Sequence, residues 1–478
     1  MLKDKYDVIV VGAGPNGLAA AITMQKAGLD VLLVEGKSTV GGGLRSAELV
    51  PPGNIYDICS AIHPMAFQSP FFKTLPLEEH GLAYVQPPVL AAHPMENGAT
   101  IGLYQSITET ARQLKEDEQT YLNLFNPLIK LWPDLVDDVL APFHIPANPL
   151  KLLRFGLKAL QPATRMAQSF KNEQMKALWA GMAAHSMLPL NYMSTSAIAL
   201  VLSVAGHTGG WPIPVGGSQC IANALASYFK SLGGEVVVDY YVDSIEKLPQ
   251  AKAILFDIGP KQLLQIAGQK LAENYRSQLK KYRYGMGVFK MDWLLDGPVP
   301  FESEICQKAG TVHIGNSFEE IARAEEAVSK GKHPEKPFVL LAQQSLFDVS
   351  RTQGKQQVVW AYCHVPNGSA VDMTEAIERQ IERFAPGFRD RILMKQVNNT
   401  AAYEAYNPNY VGGDINGGAM DIRQLFTRPA LKWSPYKTGT RGIYICSSST
   451  PPGGGVHGMC GYHAAKAALN DVFKIKIR

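Results

Sequence analysis

Gly12, Gly14 and Gly17, with an acid at Glu35, are the residues of this chain whose types and spacing point most directly to chemistry. In Gly12-Ala13-Gly14-Pro15-Asn16-Gly17 the first glycine permits a tight turn and the second lets a diphosphate approach the backbone. The third lets a helix pack closely on a strand. Amides at the start of that helix, with the positive end of its dipole, suit an anionic ligand, and Glu35 suits a ribose 2′-hydroxyl. An acid there disfavours a 2′-phosphate and so NADP, while NAD and FAD both stay open.

The flanking sequence supplies the elements this chemistry needs. Tyr6–Val11 is a β-branched apolar run that reads as a buried parallel strand. Leu18–Ala27 reads as a helix stopped at Gly28, and Asp30–Glu35 as a second strand. Val40-Gly41-Gly42-Gly43-Leu44-Arg45-Ser46 follows at once, and its adjacent glycines suit backbone brought close to a ligand. Near the other end, Gly442–Cys446 reads as a strand. It runs into the loop Ser447-Ser-Ser-Thr-Pro-Pro-Gly453-Gly-Gly-Val-His-Gly458-Met-Cys-Gly461 and a helix over His463–Phe473. Two such sites at opposite ends of the chain suit a long cofactor whose diphosphate and redox ring are held separately.

On these residues the chain resembles the FAD-dependent phytoene desaturases, carotenoid isomerases and amine oxidases. Gly12-x-Gly14-x-x-Gly17 with Glu35 and Gly42-Gly43 is similar to their entry motif, and Gly442–Gly458 to the C-terminal flavin motif of the desaturase branch. Asn407–Gly418 and Arg428-Pro429 are similar to a desaturase-related subgroup. It contains carotenoid ketolase-like proteins and pyridine-nucleotide-disulfide oxidoreductase domain proteins. The resemblance implies FAD as cofactor and an α/β fold, in which a Rossmann-type FAD domain built from discontinuous segments carries an α+β substrate domain. It implies that residues Gly12, Ala13, Gly14, Pro15, Asn16, Gly17, Glu35, Gly42, Gly43 and Arg45 line the diphosphate and adenosine. Val242, in a strand read over Glu235–Asp243, would pair with adenine, and Ser448, Gly455 and Val456 would lie near the ribityl chain and flavin ring. Many members have glycine-alanine before the hydroxyl residue of the tail motif, where this chain has Ser447-Ser448.

The FAD domain is read as residues 1–75, 205–285 and 430–478, and the substrate domain as 76–204 and 286–429. The first insert is largely helical, as in Ser106–Trp132 and Glu173–His185; the second alternates, with strands at Val288–Trp293 and Val358–Tyr362. Pro212–Gly217, with a helix to Lys230, resembles the family's return into the FAD domain.

A flavin carries the hard redox step itself, and no serine triad, metal cluster or paired-carboxylate motif competes for the role. His63, which the resemblance puts beside the flavin, is the nearest proton-handling candidate, with Asp57 to orient it; His457, inside the tail loop, is the second. A structural histidine is the alternative in both cases. The expected activity is an FAD-dependent oxidoreductase on a hydrophobic isoprenoid or polyene substrate, oxidising a carbon–carbon bond and passing electrons to oxygen or a quinone. Flavin-assisted double-bond isomerisation, and a flavin-binding assembly protein with little redox turnover, are the alternatives. An amine oxidase is disfavoured because the tail departs from that branch.

Composition bounds these readings. The 478 residues carry 46 basic and 42 acidic side chains, a net +4, with 18% charged and 46% hydrophobic residues. That excludes a disordered polyelectrolyte and a broad nucleic-acid footprint, and leaves apolar residues enough for real cores. More than half of the 43 glycines fall within 1–43, 206–217, 412–418 and 439–461. Six scattered cysteines without a Cys-x-x-Cys pair fit core thiols in a reducing cytosol. The apolar run Val8–Val11 is too short for a secretory segment, and Ala197–Gly206 is about half the length that spans a bilayer. A cytoplasmic protein, attached at most to a membrane surface, is expected.

Residues 139–172 contain no acid but hold Lys151, Arg154, Lys158, Arg165 and Lys171. On a helix Lys151, Arg154 and Lys158 share one face beside a stripe of Leu150, Leu153, Leu157 and Leu160. A solvated basic face over a packed stripe is one reading. A surface anchor to anionic lipid, beside a tunnel for an apolar substrate, is the other.

Overall fold

The computed structural model describes residues 2–49, 51–146 and 148–477. The apolar run Lys5–Val11 forms β1 and enters α1 (Pro15–Lys26), which returns to β2 (Val31–Val34). Two strands of a second sheet follow, β3 (Val89–Pro94) and β4 (Thr100–Leu103). The helical stretch carries α2 (Glu118–Val139), α3 (Pro149–Ala159), α4 (Glu173–Ala184), α5 (Thr195–Gly209) and α6 (Gln219–Ser231). Strands β5 (Glu235–Val237) and β6 (Gln250–Phe256) then rejoin the first sheet. β7 (Gly287–Leu295), β8 (Ala309–Ile314), β9 (Val339–Ala342), β10 (Gln357–Val365) and β11 (Ile392–Asn398) complete the second. The chain closes on β12 (Ile443–Ile445) and α7 (Met459–Ala468).

The first sheet runs β12–β6–β1–β2–β5 and is parallel throughout. Its strands are short and apolar because both faces are covered, with α1 packed against α6 and α7 on one side. The second sheet runs β11–β7–β10–β9–β8–β3–β4; it is antiparallel except where β8 lies beside β3. Trp293 and Phe388 meet edge-on in its core at 5.4 Å between ring centroids. The FAD-type sheet thus draws on residues 5–34, 235–256 and 443–445, and the second sheet on 89–103 and 287–398.

Three elements differ from the sequence expectations, and one is resolved into pieces. The strand read over Glu235–Asp243 ends at Val237, because Asp239 turns into the left-handed region at φ 56°. Asp239 N and Tyr240 N then donate to Lys37 O and Glu35 O in place of a ladder. The stretch read as largely helical over Ser106–Trp132 is so, in two pieces: Ile107–Arg112 stops, Lys115 takes a positive φ, and α2 starts at Glu118. The last helix starts at Met459 rather than His463, where Gly458 ends the flavin-type loop in a left-handed conformation. The leucine stripe of α3 is not packed: Leu150, Leu153, Leu157 and Leu160 are 74%, 56%, 63% and 37% exposed, while Phe155 and Ala159 take the buried face. Among the described residues no helix is long and apolar enough to cross a membrane.

Candidate functional site

The C-terminal ends of four parallel strands lie level, since Val11 pairs with both Val34 and Phe256, and Phe256 with Ile445. The loops that follow these ends open on one edge of the sheet, where parallel α/β sheets bind ligands. A cavity of about 420 Å³ is lined there by Gly12, Gly14, Pro15, Asn16, Glu35, Gly42, Gly43, Arg45, Val242, Ser448, Gly455 and Val456. Thus residues separated by more than 400 positions share one wall. Ala13 and Gly17 stand behind it, the Ala13 N–H donating to Glu35 Oε2 at 2.9 Å.

Close backbone approach explains the glycines. Gly12 sits at φ +97°, and a Cβ there would lie 2.8 Å from Asp257 O. A Cβ on Gly14 would meet Asp257 Oδ2 at 2.7 Å, and one on Gly42 would meet Gly14 Cα at 3.1 Å. Side chains would fill this cradle, whereas bare backbone with the α1 amides suits a diphosphate. Glu35 is pre-set: Oε1 accepts from Lys37 N at 3.0 Å and pairs with Arg45 Nη2 at 2.9 Å. Arg45 also donates to Thr39 O from Nε and Nη2, so its guanidinium is held beside Glu35 at the cradle's rim.

Asp257 is the member of this site that the motif reading missed. Its Oδ2 accepts from Gly17 N at 2.8 Å, so a carboxylate caps the helix end that suits the diphosphate. Burial raises its pKa to about 7; the Gly17 bond opposes the rise and nearby Glu35 adds to it. Because the folded value lies above the ordinary 3.8, the native state keeps a proton the unfolded chain has released. The associated stability is present at low pH and is lost as pH rises through about 7. Asp257→Asn retains an acceptor for Gly17 N–H and removes the charge. We expect it to bind FAD about tenfold more tightly than wild type at pH 8 and equally at pH 6, from the Coulomb cost of a charge close to a diphosphate. Fluorescence titration of the apoprotein with FAD at both pH values checks this; equal affinities at pH 8 would contradict it.

The three proton-handling candidates separate. His63 lines the cavity. Its Nε2 lies 2.8 Å from Ser218 Oγ, whose hydroxyl donates to Ser60 O, so Nε2 carries the proton. His63 Nδ1 is then a buried acceptor without a partner among the described residues. Burial lowers the His63 pKa to about 4, so the ring is neutral near pH 7. Asp57 does not orient His63 directly. It accepts from Ser218 N at 2.8 Å and pairs with Arg351 at 2.6 Å, acting on His63 through Ser218. His457 is outside the cavity lining. Its Nδ1 accepts from Met459 N at 3.0 Å, capping α7, because the left-handed Gly458 turns the ring back onto the helix start.

Beyond the cradle, the cavity reaches the face of the second sheet. Trp360 and Tyr362, two apart on β10, point the same way, and Leu340 of β9 pairs opposite Tyr362. Ile62, Met65, Leu202 and Trp211 complete an apolar chamber. Lys290 and Asp292 lie across from Tyr362 and Trp360 and pair at 2.6 Å, fully buried. His185 also lines the chamber, its Nε2 3.0 Å from His313 Nε2, and burial, with His364 nearby, lowers its pKa to about 3. The alternation of Val358–Tyr362 signals a strand, but nothing in it says which face meets a cavity.

The glycines at 412–418 also find a place. Asn409, Tyr410, Asn416 and Gly417 line the same cavity. Buried Arg428 donates to Ser448 O at 2.9 Å and Gly417 O at 3.2 Å, fastening this loop to the tail loop. A Cβ on Gly417 would collide with Ser448 Oγ.

A family model described as FAD dependent oxidoreductase matches residues 7–68. The chain is 23% identical to pyridine nucleotide-disulfide oxidoreductase domain-containing protein 2 of Mus musculus, over 98% of this chain and 94% of that one. It is 22% identical to one component of the limonene dehydrogenase of Castellaniella defragrans, over 98% and 95% of the two chains. It is equally identical, at 22%, to the lycopene-forming phytoene desaturase of a Paracoccus species, over 96% of each. Among solved structures, putrescine oxidase bound to putrescine superposes with a TM-score of 0.61 at 15% identity, over 98% of this chain and 99% of that one. The fold is that of the FAD-dependent oxidoreductases and amine oxidases. The match to that model and the full-length similarities support an FAD-dependent oxidoreductase with FAD as its cofactor.

Proposed function

We propose that this oxidoreductase dehydrogenates a carbon–carbon bond of a hydrophobic, isoprenoid or polyene substrate and passes the electrons to oxygen or a quinone. The observation that carries this reading is the chamber lining. The carboxylates and full cations of the cavity, Glu35, Lys37, Arg45 and Asp257, all belong to the loops at the strand ends of the first sheet. The chamber offers Ile62, Met65, Leu202, Trp211, Leu340 and Trp360, with neutral His63 and His185. An ammonium substrate would lose its hydration there without gaining a carboxylate, whereas a hydrocarbon loses nothing. The full-length similarity to a limonene dehydrogenase component and a phytoene desaturase, both named for hydrocarbon substrates, supports the same direction.

Gly12, Gly14, Gly42 and the α1 amides would hold the FAD diphosphate, Glu35 the adenosine ribose, and Ser448, Gly455 and Val456 the flavin end. Bound FAD supplies the two-electron acceptor. The chain's own tasks are to orient an apolar substrate between Trp360, Tyr362 and Leu202, to exclude water, and to take the proton a dehydrogenation releases. His63 Nδ1 is the group for that proton, and Ser218 with Asp57 keeps Nε2 protonated so that Nδ1 stays free. A pKa of about 4 leaves this acceptor available across neutral pH, so the rate is flat from pH 6 to 8 and falls as pH approaches 4.

Anaerobic mixing of the flavoprotein with detergent-dispersed polyenes, limonene and putrescine, read as loss of oxidised-flavin absorbance, tests the proposal. Bleaching by the hydrocarbons alone is expected. Bleaching by putrescine alone would replace the reading with amine oxidation. His63→Phe is expected to keep its flavin and slow bleaching by about 100-fold or more, the usual worth of a positioned base.

A further inference from the structure

We infer that the face built by α3 and the loop before it docks on the surface of an anionic lipid bilayer, with its leucines in the acyl boundary. At 100° per residue, Phe155, Ala159 and half-buried Leu152 form one face of α3, and Leu150, Leu153, Leu157 and Leu160 point about 150° away from it. The leucine stripe is therefore aimed squarely at solvent, where an ordinary surface helix carries polar groups. Arg154, Lys158 and Lys151 occupy the sector between the two faces and border the stripe along one side.

The patch extends beyond the helix. Phe143 and Ile145, just before α3, are 72% and 86% exposed, and Trp433, from the far end of the chain, is 81% exposed. Phe143 and Trp433 meet edge-on at 6.1 Å, joining the two segments into one surface, with Leu431 also exposed beside Trp433 in sequence. Exposed apolar area of this extent marks an interaction site.

Charge selects the occupant. Residues 139–172 hold five cations and no acid. Two of the acids at the C-terminal end of neighbouring α2 are engaged, Asp134 with Lys151 at 2.7 Å and Asp138 with His144 at 2.6 Å, while Asp137 stays exposed. Arg154, Lys158, Arg165 and Lys171 remain exposed. A leucine stripe edged by cations, with Trp433 and Phe143 at its margin, has the chemistry of a helix lying in the plane of an anionic membrane interface. The location is also apt, since α3 packs on α5, whose Leu202 lines the chamber. The inference does not depend on the proposed reaction, because docking is read without turnover.

Flotation of the FAD-loaded full chain with phosphatidylcholine vesicles, with and without phosphatidylglycerol, tests it. Binding to the anionic vesicles alone is expected, weakening with salt. Leu153→Glu/Leu157→Glu should reduce the bound fraction at least tenfold, and Arg154→Ser/Lys158→Ser several-fold, roughly in line with two interfacial charges lost. These positions are already solvated, so both variants should keep their flavin spectrum and Tm; a variant that loses either is replaced by Leu150→Gln/Leu157→Gln. Failure to bind anionic vesicles overturns the inference, as does binding unchanged by the leucine variants. It is equally overturned if the wild type self-associates in solution and Leu153→Glu/Leu157→Glu makes it monomeric without affecting flotation.

Discussion

Gly17→Ala is expected to give folded or partly folded protein that purifies without flavin, with bound FAD below about a tenth of wild type. Gly17 lies in the first turn of α1, directly over the turn from β1. A Cβ there would stand 1.9 Å from Gly12 O and 3.1 Å from Asp257 Cβ. Neither neighbour can yield: Gly12 N is bonded to Val34 O, and Gly12 itself is held close against Asp257 O. Relief requires α1 to move off the sheet by roughly 1 Å or more, which carries its N-terminal amides away from the diphosphate and breaks the Gly17–Asp257 bond. Gly28→Ala, at the other end of the same helix, is the control. Its Cβ meets nothing within 4 Å, and its φ of +81° costs only about 1 kcal/mol, so flavin should be retained. Flavin absorbance against total protein, with circular dichroism for the fold, reads both variants. A Gly17→Ala protein as yellow as wild type would show that the cradle tolerates displacement.

Arg351→Met is expected to lower stability by about 3–5 kcal/mol, the usual result of removing one partner of a buried ion pair. Arg351 is fully buried and spans Asp57 at 2.6 Å, Asp348 at 2.9 Å and Pro214 O at 3.0 Å. Asp57 in turn accepts from Ser46 Oγ and Ser218 N, and Asp348 from Gly216 N. One guanidinium therefore ties together the N-terminal segment, the return at 214–218 and the turn after β9. In wild type, burial pushes the Asp57 pKa up, but Arg351, Ser46 and Ser218 outweigh it and hold the carboxyl below its ordinary 3.8. Asp57 thus contributes stability above that pH, lost on acidification. Without Arg351 the sign reverses: burial dominates, Asp57 holds its proton to higher pH, and the variant loses stability as pH rises above about 4. Thermal unfolding at pH 5 and 8 should show the Met variant's deficit growing with pH. Arg351→Met with Asp57→Asn should recover part of the loss, because one uncompensated charge is gone. The same variants should impair flavin bleaching beyond their effect on stability, since Asp57 positions Ser218 and through it His63.

Much of the cofactor frame is legible in the sequence alone. The strand, glycine turn, helix and second strand within Tyr6–Glu35 are local, each specified by residues a few positions apart, and the structure forms them within a few residues of the expected bounds. Val242 reaches the cavity wall by an element other than the expected one: the strand before it stops at Val237, and a left-handed Asp239 delivers Tyr241 and Val242 to the cavity as a loop. Asp257 carries no motif signal, because its importance lies in meeting Gly12, Gly14 and Gly17 from a distant part of the chain. His457 lies in the right loop yet turns away, since a single left-handed glycine decides which side of the backbone the ring occupies.

The same boundary divides the rest of the molecule. Glycine spacing, β-branched runs and the acid at Glu35 determined by themselves that a strand, glycine turn, helix and second strand would form here, because those preferences act between near neighbours. Which strand residues face the chamber was decided only by the antiparallel register that faces Leu340 with Tyr362 and lays Trp360 beside them. The fate of the α3 leucines was decided the same way. Helical periodicity groups Leu150, Leu153, Leu157 and Leu160 on one face, but only packing against α2 and α5 determines that Phe155 and Ala159 take the inside and leave the leucines in water. Periodicity sets which side chains share a face; long-range contacts, absent from any local window, set where that face points.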